Sequence, residues 1–322
     1  VTWVVPTVAV LLLALLFLVC LVLQPTMAAA RRAPAVEPDV QALKTHVHTL
    51  VTRFRPRGNL DVVNLNAAAN HIRGQFQALG LSPTEQTFQT DGETYRNVVA
   101  RLGNHGGPLL VVGAHYDTCM GNPGADDNAS GVAGLLELAR LLVKHPPACD
   151  VELVAWTLEE PPHFQTPNMG SAHHANMLRA NGVTVRVAVS LEMIGYFSDA
   201  PGSQKAPLPW LTPLIPSQGN FIGVVGDLGQ GGVTRAVKRA MRAASPLRVV
   251  SVNAPRWVPG VDFSDHRNYW ALGWPAVMIT DSANNRNPHY HQQTDLPETL
   301  DYVRMGQVVA GVFEAVHVLA GR

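Results

Sequence analysis

The chain opens with its most one-sided stretch. Residues 1–23, VTWVVPTVAVLLLALLFLVCLVL, carry no charge and are nearly all apolar. A run of about 20 such residues is long enough to cross a bilayer. Small residues come next, with AAA ending at Ala30 in the small-x-small form of a signal cleavage site. The expectation is an N-terminal transmembrane anchor or signal segment. The length of the apolar run favours the anchor. Arg31-Arg32 just after it would favour a cytoplasmic position for the downstream domain, which argues instead for cleavage or for a basic start that precedes this sequence. Either way the protein is expected at a membrane or exported, in a periplasmic or extracellular setting, and the segment stays outside the fold.

Residues 24–38, with Pro25, Pro34 and Pro38, read as a linker, and 39–322 as one domain. From residue 39 the apolar pattern switches repeatedly between two periods. DVQALKTHVHTLV, NAAANHIRGQFQALG and SGVAGLLELARLLVKH carry apolar residues at three-to-four spacing and predict helices, as do 169–181, 232–244 and 299–319. NVVARL, LLVVGA, VELVAWTL, VRVAVSLEMI, FIGVVG and PAVMIT are short continuous apolar runs and predict strands. Strands of that kind, alternating with helices, are buried on both faces. The fold class is therefore α/β: a three-layer α/β/α sandwich around a mixed, mostly parallel sheet. The Pro-, Ser- and Gly-rich stretch 197–219 reads as a long loop near the site.

Charge removes one class of partner. The formal net charge is zero, so no nucleic acid is expected. The three cysteines, Cys20, Cys119 and Cys149, have no zinc-type spacing and leave only a Cys119–Cys149 bridge to consider.

In sheets of this type ligands sit beyond the carboxyl ends of the strands. That is where this chain concentrates its chemistry. His115 and Asp117 follow LLVVGA, and Asp126-Asp127 come after the next loop. Glu159-Glu160 follow VELVAWTL, Glu192 ends the next strand, and Asp281, His289, Tyr290 and His291 follow PAVMIT. Histidine nitrogens and carboxylates on converging strand ends suit metal-assisted hydrolysis. Two ions sharing one carboxylate can activate a water, and a carboxylate off the metal takes its proton. Asp126-Asp127, taken alone, would equally serve as a helix N-terminus.

In order and in spacing, GAHYDT, PGADDNASGVAGLLELAR, TLEEPP, SLEMIGY and YHQQTD resemble the motifs of the co-catalytic di-zinc aminopeptidases. Glutamate carboxypeptidases and glutaminyl cyclases are relatives of that family. The resemblance runs from about residue 60 to 320 and implies a zinc-exopeptidase fold with two zinc ions per chain. It implies His115 and Glu192 as ligands of one zinc, and Glu160 and His291 as ligands of the other. Asp127 would bridge them and be followed by a cis peptide. It also implies Glu159 as general base, Tyr290 as oxyanion donor, and Asp117 as the acceptor that orients His115. In the recurring FSDH stretch, Asp265 and His266 are expected to line the substrate side.

Two positions depart from the pattern. Glu192 stands where many members have Asp, and Leu296 where Thr often follows Asp295. The reading is a peptide hydrolase, an aminopeptidase first. A one-zinc cyclase of N-terminal glutamine is an alternative. So is a carboxypeptidase that uses Arg256, Arg267 or Arg286 to capture a carboxylate. The non-enzyme alternative is a membrane-tethered binding module on an inactive peptidase fold. His173 and His174 are expected at the surface or on a pocket wall.

Overall fold

The computed structural model describes residues 4–26, 36–103 and 106–321. The site proposed for signal cleavage, at Ala30, and most of the linker lie outside the described residues.

The sheet has eight strands: β1 (Thr84–Thr90), β2 (Glu93–Leu102), β3 (Leu109–His115), β4 (Val151–Trp156), β5 (Val185–Glu192), β6 (Phe221–Gly226), β7 (Arg248–Asn253) and β8 (Ala276–Thr280). Their order is β1-β2-β4-β3-β5-β8-β6-β7. The centre is parallel, β4 with β3, β3 with β5 and β5 with β8. β1, β2 and the β8–β6 junction are antiparallel. The parallel strands β3, β4, β5 and β8 therefore deliver their carboxyl ends to one edge.

The helices are α1 (Val4–Leu23), α2 (Val40–Arg53), α3 (Val62–Ala78), α4 (Gly131–Lys144), α5 (Gly170–Ala180), α6 (Gly231–Ala244), α7 (His266–Ala271) and α8 (Tyr302–Ala320). They form two layers, and the pleat of β3 shows why. Leu110, Val112 and Ala114 pack with α2, α3, α4, α6 and α8. Leu109 and Val111 face the other way, toward residues of α5 and α7. With both faces covered, a central strand has no polar side to display, which is why these strands read as unbroken apolar runs.

Helix ends follow local chemistry. Asp39 caps α2 by accepting the N–H of Ala42 at 2.9 Å, and Asp301 caps α8 through Arg304 at 2.9 Å. α8 thus begins at Tyr302 rather than 299, because Pro297–Thr299 forms a separate tight turn. α8 is also apolar and long enough to cross a membrane by composition, but it is a core helix, with two thirds of it buried.

α1 behaves differently. Among the described residues Leu12, Leu13, Leu16, Phe17 and Leu18 are exposed, and the carboxyl end of the helix meets β7. There Lys238 Nζ donates to the carbonyls of Leu23 at 2.9 Å and Gln24 at 3.2 Å, while Ser251 Oγ donates to Leu23 at 2.7 Å. Burial pushes the Lys238 ammonium down to about 8.

Candidate metal centre

Strand geometry brings the first pair together. His115 ends β3 and Glu192 ends its parallel neighbour β5, with His115 Nε2 3.4 Å from Glu192 Oε1. Asp127 enters from the irregular helical turn Ala125–Ser130 that leads into α4. Its Oδ1 lies 3.4 Å from His115 Nε2, and its Oδ2 lies 3.2 Å from His291 Nε2. His291 Nε2 is also 3.2 Å from Glu160 Oε2. The donor atoms of His115, Asp127 and Glu192 lie within 4.8 Å of one another, and so do those of Cys119, Glu160 and His291. Asp127 spans the two groups.

The backbone is arranged to make this convergence. The Asp127–Asn128 peptide is cis, as the motif resemblance implied. Asn128 fixes the turn against β5, donating to the Leu191 carbonyl at 2.8 Å and accepting the Met193 N–H at 3.0 Å. Three residues beside or within the cluster adopt left-handed backbone conformations: Leu158 (φ 58), Met193 (φ 51) and His291 (φ 56). Side-chain-bearing residues rarely occupy that region, and such strain gathers where a site demands it. Asp117 accepts the N–H of Glu159 at 3.2 Å and of Glu160 at 3.0 Å, and its Oδ1 stands 3.4 Å from His115 Nδ1. One carboxylate thus sets both the ring and the strand end beside it.

Electrostatics test whether the residues fit cations. Burial pushes Glu159 well above the usual carboxylate range and raises Glu192; burial plus the charge of Asp127 brings Glu160 to about 8. Burial alone would lower both histidines. Their carboxylate neighbours reverse this, raising His115 well above 6.5 and His291 to about 10. For Asp127, hydrogen bonds to the two histidines outweigh burial and hold it below its ordinary range. A cluster of buried carboxylates that must otherwise keep protons is one that divalent cations would neutralise. Glu160 Oε1, buried with no partner, is a free donor for such an ion. The nitrogen-and-oxygen donor set fits a metal.

Glu159 Oε2 lies 3.9 Å from His115 Nε2, at the edge of the first group. Tyr290 stacks on His291 with ring centroids 3.8 Å apart. Both line a cavity of about 400 Å³ together with Asp127, Glu160, Glu192 and His291. His289 turns away and pairs with Thr294 at 2.9 Å.

Several expectations change. Asp265 and His266 are both fully buried and do not line the substrate side; His266 Nε2 faces the Val261 carbonyl at 2.8 Å. Phe263 and Val261 line the cavity instead. His174 is buried, not superficial, between Tyr269 at 2.7 Å and Glu152 at 3.1 Å. Cys119 and Cys149 are free. They flank opposite ends of two parallel strands, so the roughly 3.3 Å rise per residue over β4 keeps them apart.

The sequence reading missed three supports. Ser264 Oγ donates to Glu192 Oε2 at 2.7 Å. Asp126, which binds no histidine, accepts the Gly195 N–H at 3.0 Å and the Asn287 amide at 2.7 Å. The fully buried Arg57 donates to the carbonyls of Leu50 at 2.8 Å, Tyr116 at 2.9 Å, Gly124 at 3.1 Å and Pro123 at 3.3 Å. Ser264 lies within the FSDH stretch. Arg57 had no signal, because it binds only backbone carbonyls.

Comparison with known proteins agrees with this geometry. The uncharacterized protein YfbL of Escherichia coli K12 is 44% identical over 302 residues, covering 91% of this chain and 92% of that one. Leucine aminopeptidase 1 of Emericella nidulans is 26% identical over 65% of this chain, and the match spans about half, 51%, of its length. The LapA aminopeptidase of Legionella pneumophila superposes with a TM-score of 0.69 at 18% identity, covering 88% of this chain and 72% of that one. Solved glutaminyl cyclases share the fold as well. Residues 97–316 match the family described as Peptidase family M28. With motif order, strand-end cluster and these matches in agreement, the chain belongs to peptidase family M28.

Proposed function

We propose that the protein is a two-zinc exopeptidase acting as an aminopeptidase on peptides. The observation that supports this best is Asp127, which turns one oxygen to each of two histidines, each of which has its own second carboxylate. His115, Glu192 and Asp127 would hold one ion, and His291, Glu160 and Asp127 the other, with the mixed donors that zinc accepts. Two divalent ions bound there would polarise a scissile carbonyl and acidify the attacking water.

The remaining residues supply the proton work. Glu159 is the carboxylate left over. It takes the proton from the attacking water and returns it to the leaving amine. Tyr290, on the cavity wall beside His291, offers its hydroxyl to the developing oxyanion. Asp117 orients His115 and fixes the Glu159-Glu160 backbone.

Two rival activities have less support. A carboxypeptidase needs a cation for the terminal carboxylate. Arg256 is paired with Asp227 at 2.7 Å, Arg267 with Asp262 at 3.2 Å, and Arg286 donates to Gln204 at 2.9 Å and to the Phe221 carbonyl at 2.8 Å. A one-zinc cyclase leaves the second histidine–carboxylate pair without a task. The exposed apolar side chains of α1 support a membrane anchor.

Metal analysis combined with an amino-acid p-nitroanilide panel, with and without chelator, tests the reading. Two zinc ions per chain and chelator-sensitive release of p-nitroaniline are expected. One zinc with cyclisation of N-terminal glutamine would replace the reading with a cyclase, and zinc with no turnover would replace it with a binding module.

A further inference from the structure

The cavity does not stop at the acidic cluster. It continues across the open face of β8, β6 and β7, past Met278, Phe221, Val225, Val250 and Val252, and ends against Val22 and Leu23 of α1. All four carboxylates that line it, Asp127, Glu159, Glu160 and Glu192, belong to the cluster. Away from the cluster the lining is chiefly hydrocarbon, with Gln204, Lys205, Lys238, Arg248, Ser251 and Asn285 among its polar members. The whole cavity, including the space beside the acidic cluster, is about 400 Å³, more than one leucine side chain fills. At about 30 Å³ per water-sized group, it has room for roughly a dozen.

The walls favour an alkyl chain over a peptide. A peptide limb carries an N–H and a C=O at every residue, and burying them unpaired costs free energy. β6 has little free backbone to pair them, because it is bonded to β7 along its length and to β8 over Gly223–Val225. From β5, where Glu192 sits, to β7 is three strand spacings, about 14 Å at roughly 4.8 Å each. That length suits an extended chain on the order of ten carbons. At the far end Lys238 is turned onto the carbonyls of Leu23 and Gln24. The same end is the base of a helix whose exposed residues Leu12, Leu13, Leu16, Phe17 and Leu18 suit a lipid phase.

From this geometry, and resting on the peptidase reading above, we infer that the preferred substrate is an amide with one long unbranched alkyl limb. That limb lies along β8, β6 and β7, and its end meets α1. Docked this way, α1 forms a wall of the substrate channel as well as an attachment.

The test uses the full chain in phosphatidylcholine nanodiscs and two substrate series of four to twelve carbons. One series carries the chain as the side chain of the N-terminal residue (2-aminoalkanoyl p-nitroanilides). The other carries it on the leaving amine (leucine n-alkylamides). In one series kcat/KM is expected to rise at least tenfold from four to ten carbons. Val252→Trp, which blocks the channel away from the cluster, should lower the long-to-short ratio by at least tenfold, and Val225→Trp is the second variant if the first does not fold. Flat or falling series with leucine p-nitroanilide still cleaved would overturn the inference and leave the peptidase reading standing. If nothing is cleaved, the peptidase reading fails and calorimetry decides the channel separately. Decylamine binding at least tenfold tighter than butylamine, and lost in Val252→Trp, supports it; equal binding overturns it.

Discussion

Ser264 donates its hydroxyl to one oxygen of Glu192 over 2.7 Å, which leaves the other oxygen turned toward His115 at 3.4 Å. Ser190 in turn shares a hydrogen bond of 2.7 Å with Ser264. Partners that aim a ligand carboxylate are typically worth about 10- to 100-fold in metal affinity. Ser264→Ala is therefore expected to weaken zinc binding by that order, read by competition with a chromogenic chelator. An unchanged affinity would show that Glu192 needs no such support.

Glu159 belongs to neither histidine–carboxylate pair. Glu159→Gln keeps shape and bulk but removes the base. Turnover should fall by about 10²- to 10⁴-fold, while zinc content by atomic absorption stays near two per chain. Loss of one zinc in this variant would instead place Glu159 among the ligands.

His266 carries an acid liability. Burial depresses its pKa from 6.5 to about 4, although the Val261 carbonyl pulls it upward. Between these values the unfolded chain binds the proton more readily than the folded one, so stability present at neutral pH is lost as the pH falls from 6.5 through 4. Relative to His266→Gln, the wild type should lose on the order of 3 kcal/mol by the time the pH is below 4. Urea unfolding of both proteins at pH 7, 5 and 4 measures this; parallel pH curves would rule it out.

Arg57 satisfies four backbone carbonyls with one guanidinium, and burial lowers its pKa to about 10. Arg57→Met leaves those oxygens without their donor in a dry interior. The cost expected by denaturant titration is more than about 3 kcal/mol. Arg57→Lys keeps the charge but not the planar fork, and should fall between the two.

Burial decides how much of the fold the amino-acid pattern reveals. β3 and β4 were legible because both faces are covered, so apart from His115 at the end of β3 and Glu152 in β4 their residues are apolar or small. β1 was missed: TEQTFQT is an edge strand with mostly polar, half-exposed positions. β7, the opposite edge, alternates between buried and less buried residues and was also missed. At the site, His115, Asp127, Glu159, Glu160, Glu192 and His291 were legible because each directly follows or ends a strand or lies in an ordered motif. Ser264 and Arg57 were not, since their roles depend on partners far away in sequence. FSDH pointed to the right place but to the wrong members. Its Asp265 and His266 are fully buried and do not line the cavity, whereas the neighbouring Ser264 reaches a cluster carboxylate.

Arg57 also bears on how the chain can be cut. It precedes residue 97, where the match to M28 begins, yet its guanidinium holds Tyr116, Pro123 and Gly124, on the chain that leads into the turn presenting Asp127. A chain trimmed to the shared stretch would retain every candidate ligand and lose the brace that keeps Pro123 and Gly124 in place. The amino-terminal helices are therefore part of the smallest heritable unit of this reaction centre. Grafts or chimaeras drawn at the family boundary would transplant the ligands without their scaffold.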